Sequence, residues 1–144
     1  MTDNAYEAKE WLNRMFKAWQ DVDATRRTLE TILAEMGGVA RYSQEFTGHN
    51  PRASEERLAR YSTVAAELER KQRDLDAEDI RTEQIINKLK DFRHRAILRD
   101  RYINRLSWRN ISNKLHFSEP RLFELHRDAL EQIWQYIPGR NGNI

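Results

Sequence analysis

Cysteine is absent from the 144 residues, which excludes a disulfide framework, a thiol nucleophile and a thiolate metal site. Glycine and proline are scarce, at five and three, while charged residues make up 33% and hydrophobic ones 39%. That mixture favours long exposed helices over sheets, and the length fits one domain, or a small domain with an extension. No apolar run reaches 18 residues, and the start, "MTDNAYEAKEW", has no basic stretch followed by an apolar one. Neither a membrane span nor a secretory leader is expected, and the chain reads as cytoplasmic.

Signs of catalysis are missing too. There is no glycine-rich phosphate loop, and the acidic residues fall on helix faces where partners such as Glu67 and Lys71 explain them. The histidines, His49, His94, His116 and His126, show no i,i+4 pairing, so neither a metal nor another cofactor is expected. "GHN" at Gly48 to Asn50 reads as a turn. An enzyme is not expected.

Charge is unevenly spread. Residues 1–50 carry 6 Lys+Arg against 8 Asp+Glu, residues 51–90 carry 9 against 9, and residues 91–144 carry 10 against 6. A positive surplus confined to the last third is what a phosphate-facing surface needs.

The hydrophobic spacing predicts an all-α protein. Leu12, Met15, Trp19, Val22, Leu29, Leu33 and Met36 follow steps of three and four, with Arg26 in the one polar slot. This is a heptad seam on a helix from Asn4 to Met36, stopped by Gly37-Gly38. A second seam runs through Leu58, Tyr61, Ala65, Leu68, Gln72, Leu75, Asp79, Thr82, Ile86 and Leu89, with Ser54 as its expected N-cap. Its middle is polar, so weaker packing is expected there. Residues 1–90 thus read as a coiled-coil-like helical hairpin whose loop, 37–53, holds "RYSQEF" and the turn-like "TGHNPR". Trp11, Phe16 and Trp19 exceed what one two-helix contact covers, so a homodimer or larger homo-oligomer is expected. Heptad seams usually serve association; contact with a protein partner is the sharper alternative.

Residues 91–138 read as a trihelical domain, with 139–144 as a tail. Asp91 caps a helix through "FRHRAILRDRYINRL" that buries Ala96, Ile97, Tyr102 and Ile103. Ser107 caps the next, with Trp108, Ile111 and Leu115 inward; the last begins at Ser118 or Glu119, with Leu122, Leu125, Ala129, Leu130, Ile133 and Ile137 inward. The four tryptophans fall on or beside buried seams, and His126 reads as a core-edge histidine. Between the last two helices stand only His116, Phe117 and Ser118, where a helix-turn-helix usually places glycine. Such a corner fits a DNA reader and equally an ordinary packed corner of an all-helical core.

The run "ILRDRYINRLSWRNISNKLHFSEPRLFELHRDAL" looks like region four of bacterial sigma factors. More closely, it resembles the ArpU/RinA-type, sigma-like late transcription regulators of phages and prophages in Gram-positive bacteria. The resemblance rests on Arg101-Tyr102-Ile103, Ser107-Trp108, Ile111, Phe117-Ser118, Leu125-His126-Arg127 and Ala129-Leu130. More loosely, it extends to "NPR.S" at Asn50 to Ser54 and to the hairpin. It implies a cytoplasmic transcriptional activator in a bacterial host, bound to double-stranded promoter DNA and engaging host RNA polymerase. Of the residues early in the sigma recognition helix only Arg121 carries over, so the −35 consensus is not the expected target. A terminase small subunit, which also couples helix-turn-helix to coiled helices, and a protein-binding module are the alternatives.

On this reading Arg121 bonds a guanine, Glu124 accepts from cytosine N4 and Phe123 meets a thymine methyl. Arg127 and Ser118 complete the DNA-facing set, while Arg105, Arg109 and Lys114 neutralise phosphates. Against this stands a simpler role for Arg121 and Glu124, an i,i+3 ion pair on a solvated face.

Overall fold

The computed structural model describes residues 1–37 and 51–139. They contain helices and no strand: α1 (Asp3–Glu35), α2 (Pro51–Ile86), α3 (Phe92–Leu98), α4 (Trp108–Leu115) and α5 (Glu119–Ile133). A π-helical turn, Arg99–Ile103, continues α3, and a 3₁₀ turn, Trp134–Tyr136, comes after α5. The all-α class, with two long helices packed antiparallel before three shorter ones, is therefore as the spacing predicts. The "RYSQEF" element and most of the 37–53 loop lie outside the described residues, as does the tail beyond Gly139.

The helices assemble into two compact units, one of residues 1–17 with 76–144 and one of residues 18–75. The expected division after residue 90 places the first 17 residues with the hairpin; the structure groups them with the three short helices. The cause is apolar. Ala5, Ala8 and Leu12 of α1 and Ile86 of α2 share one fully buried cluster with Leu98, Tyr102, Ala129, Leu130 and Ile133. Trp11 and Phe16 pack against that cluster. They are covered within this unit, so they no longer argue for a second copy of the chain.

In the unit of residues 18–75, most of the α2 seam behaves as its spacing predicts: Leu75 is buried, and Tyr61, Ala65 and Leu68 are half-buried, but Leu58, expected to begin the seam, is 38% exposed. Its polar middle is tied to α1 by Lys71, which reaches Asp21 and Glu67, each at 3.0 Å, and by Arg26 to Gln72 at 3.3 Å. The α1 seam differs from the expected one. Ile32 is 1% exposed and Leu33 42%, and Thr25 rather than Arg26 turns inward. Trp19, at 37%, also stands outside. At each of these heptad steps two adjacent residues compete, and spacing alone does not say which faces the partner helix. Ser54 lies inside α2 rather than capping it, because the helix already includes Pro51.

Local chemistry sets the ends of the elements. Thr2 Oγ1 accepts from the Ala5 amide, and Gly37 takes φ 67° just beyond α1, a left-handed conformation that costs glycine little. Asp91 accepts from the Arg93 amide at 2.8 Å and binds its guanidinium at 2.9 Å. The Arg93 side chain holds the Asp91 carboxyl well below the usual carboxylate range. Arg95 ties down the link between α2 and α3 by donating to the carbonyls of Leu89 and Lys90.

The stretch after Leu98 departs from a plain α-helix. The Asn104 amide donates to the Arg99 carbonyl, the i→i+5 bond of a π turn, and one extra residue per turn rotates the chain beyond it. Asp100 and Tyr102 are thereby buried, whereas Ala96 and Ile103, expected inside, are only half-buried.

Candidate nucleic-acid interface

Two serine caps build the corner between α4 and α5. Ser107 Oγ accepts from the Asn110 amide and Ser118 Oγ from the Arg121 amide, at 3.2 and 3.3 Å. Pro120 sits in the first turn of α5, where a missing N–H costs nothing. Between them His116 adopts φ 61°, ψ 38°, the left-handed conformation usually given to glycine. Ser112 secures the turn by donating its hydroxyl to the Phe117 carbonyl at 2.5 Å. Histidine meets a steric penalty there that glycine avoids. We expect His116→Gly to raise stability by about 0.5–1 kcal/mol, read as a higher urea midpoint at unchanged slope.

The inward faces of the two helices meet over Ile97, Ile111, Leu122 and Leu125, flanked by Trp108, Leu115 and Phe117. Arg121, Phe123, Glu124 and Arg127 are all exposed, so the outward row read from the spacing is present on the first two turns of α5. Arg121 and Glu124 form the i,i+3 ion pair, at 3.0 Å. Phe123 is 40% exposed and rests its ring edge-on against Trp108, 5.4 Å between centroids.

The cations expected to meet phosphates divide. Arg109 is exposed and forms no ion pair among the described residues. Lys114 instead pairs at 2.8 Å with Asp100, whose carboxylate is nearly sealed from solvent and also accepts from Asn104. Arg105 is committed more fully. Its guanidinium donates to the Ile103 carbonyl and to Asp79, at 2.6 and 2.9 Å, and only 14% of the side chain is exposed. Its backbone, at φ 57°, is held left-handed by this anchoring. Arg105 therefore serves the fold, and Lys114 neutralises a buried acid before any phosphate. Arg93, Arg95 and Arg99 likewise engage protein groups. The positive surplus of the last third is thus partly neutralised within the molecule.

Spacing did not reveal the aromatic hub behind α5. Trp108 meets the His126 ring at 4.6 Å and lies beneath the Arg101 guanidinium, also 4.6 Å from its ring. Arg101 also stacks on Phe16 of α1 at 4.9 Å and donates to the Leu106 carbonyl. The Tyr102 hydroxyl shares a 2.9 Å hydrogen bond with His126 Nε2. Burial, followed by the charges of Lys9 and Arg101, drives the His126 pKa down to about 4. The core-edge reading of His126 stands. Its one sequence signal was a polar residue beside an apolar stripe.

Taken together, the elements define an all-helical protein with a helix-turn-helix corner. Residues 42–133 match the family described as "Protein of unknown function (DUF1492)", and the chain belongs to that family. Neither a curated protein nor a solved structure matches it. Among the described residues no helix is long and apolar enough to cross a membrane, and no three His, Asp or Glu side chains gather as a metal site would require.

Proposed function

We propose that the chain binds double-stranded DNA with α5 in the major groove, and that it activates phage or prophage late genes at promoters together with host RNA polymerase. The observation that carries the first part is the row Arg121, Phe123, Glu124 and Arg127, exposed on the first two turns of a helix whose other face is fully buried. The second part rests on the resemblance of residues 97–130 to the sigma-like late regulators.

The Arg121–Glu124 pair is compatible with base reading. Both side chains are about half exposed, and an exposed i,i+3 pair contributes only a few tenths of a kcal/mol. Exchanging it for a bidentate bond to guanine therefore costs little and gains about 1–3 kcal/mol of discrimination. Arg121→Ala is expected to remove sequence preference at one base pair and to keep most non-specific affinity. Genome-wide footprinting supplies the site, and titration of that site and its single-base variants reads the effect. A mutant that discriminates as well as the parent places the reading elsewhere.

The homo-oligomer is retained in this proposal on a narrower base. Trp19, Leu33 and Leu58 stay 37–42% exposed on the unit of residues 18–75. Sedimentation of the full chain as a monomer at tens of micromolar would remove it.

A further inference from the structure

We propose that Lys9 and Arg101 form a second phosphate contact, seating neighbouring phosphates of one DNA strand beside the reading helix. This rests on the DNA-binding reading above and adds to it an element outside the two helices of the corner. Lys9 belongs to α1, and Arg101 to the π turn.

Arg101 is an unusual cation for its place. It is half-buried between the rings of Phe16 and Trp108, donates one bond to a backbone carbonyl, and has no carboxylate within ion-pair distance among the described residues. Burial lowers its pKa, and the Tyr102 hydroxyl, not a carboxylate, is what acts against that loss of hydration. Every other arginine between residues 93 and 105 has found a protein acid or, for Arg95, two backbone carbonyls of the link before α3. A guanidinium left in this state has a place for an external anion.

Lys9 supplies the second charge. It is exposed and makes no ion pair among the described residues. Seven residues before Phe16, it lies on the same face of α1, about 10 Å along the axis. The two cations thus flank one strip of surface. Both charges also bear on the buried His126 ring of α5. Trp108, on which Arg101 stacks, connects that strip to the exposed Phe123. Glu10 comes directly after Lys9 but points about 100° around the helix. Asp128 and Glu131 gather instead around Arg127, with Met1 and Thr2. Two uncompensated positive charges beside a major-groove helix suit a phosphodiester backbone, which offers one anion per nucleotide in a fixed row.

The test uses the full chain and a mixed-sequence duplex of roughly three helical turns, titrated between about 50 and 200 mM salt. Lys9→Ala should flatten the log–log salt slope by about one, so that its affinity falls about 3.5-fold less than the parent's across that range. Lys9→Glu should bind more weakly than Lys9→Ala, and Glu10→Ala should not flatten the slope. Arg101→Gln should flatten the slope as Lys9→Ala does; because it also loses a stacked side chain, its helix content is checked by circular dichroism, and the exposed Lys9 variants decide the matter if it unfolds. Parental slope and affinity in both Lys9 variants overturn the proposal. Failure of the parent to bind the duplex at all sinks the DNA-binding reading itself, and this contact with it.

Discussion

A fragment of residues 91–138, the segment that spacing marks as the DNA-binding domain, is expected not to fold by itself. In the full chain Leu98, Tyr102, Ala129, Leu130 and Ile133 are sealed at 0–1% exposure, in one cluster with Ala5, Ala8, Leu12 and Ile86. Removing α1 and α2 opens that cluster. Each large side chain that returns to water costs about 1.5–3 kcal/mol, so uncovering four of them cancels roughly 6–12 kcal/mol. A small domain has only about 5–15 kcal/mol in hand. The fragment should show poor amide dispersion and no cooperative melt, and should lose DNA binding where the full chain keeps it. A sharp melting transition in the fragment would show that the cluster is dispensable.

Acid should weaken the same unit through the buried His126 imidazole. His126 is 6% exposed and its pKa is depressed to about 4, first by burial and then by Lys9 and Arg101. The unfolded chain binds the proton at about 6.5, so its contribution to stability is complete above that pH. As pH falls from about 6.5 towards 4 the unfolded state gains protons that the folded state refuses. The loss grows by about 1.4 kcal/mol per pH unit, to about 2 kcal/mol at pH 5 and about 3 kcal/mol at pH 4. The other depressed group, Asp91, contributes lower down, because a carboxyl binds protons only below about 3.8 when unfolded. Urea midpoints at pH 7 and pH 5 measure the effect. His126→Gln, which retains a polar partner for the Tyr102 hydroxyl, should be nearly flat over this interval. Equal losses in parent and mutant would assign the acid sensitivity to another group.

Local rules carried much of the fold. The caps at Asp91, Ser107 and Ser118, the left-handed place of His116 and the stripe from Leu122 to Ile137 depend on neighbours within a turn or two, so spacing reveals them. The outward row of α5 was legible for the same reason. What spacing missed is non-local. Arg105 meets Asp79, 26 residues earlier, and Lys114 meets Asp100, 14 residues earlier, so both looked like free cations. The π turn that buries Asp100 has no periodic signature, and the choice of Ile32 over Leu33 depends on the facing helix. Charge totals counted every cation alike. The structure distinguishes Arg109 and Arg127, which are exposed and without ion pairs among the described residues, from those already holding an acid.

The split of the first unit into residues 1–17 and 76–144 also bears on how the chain is made. On a ribosome α1 emerges before the helices that cover it, with Ala5, Ala8 and Leu12 facing a surface that does not yet exist. Leu130 and Ile133, which cover them, are added more than 110 residues later. At about 5–20 residues per second, that leaves an apolar stripe exposed for roughly 6–25 s. Closing so long a loop also raises the contact order, which slows folding relative to a simple hairpin. During that interval the stripe is open to chaperones and to neighbouring nascent chains. The corner between α4 and α5 becomes whole only when α5 has been synthesised.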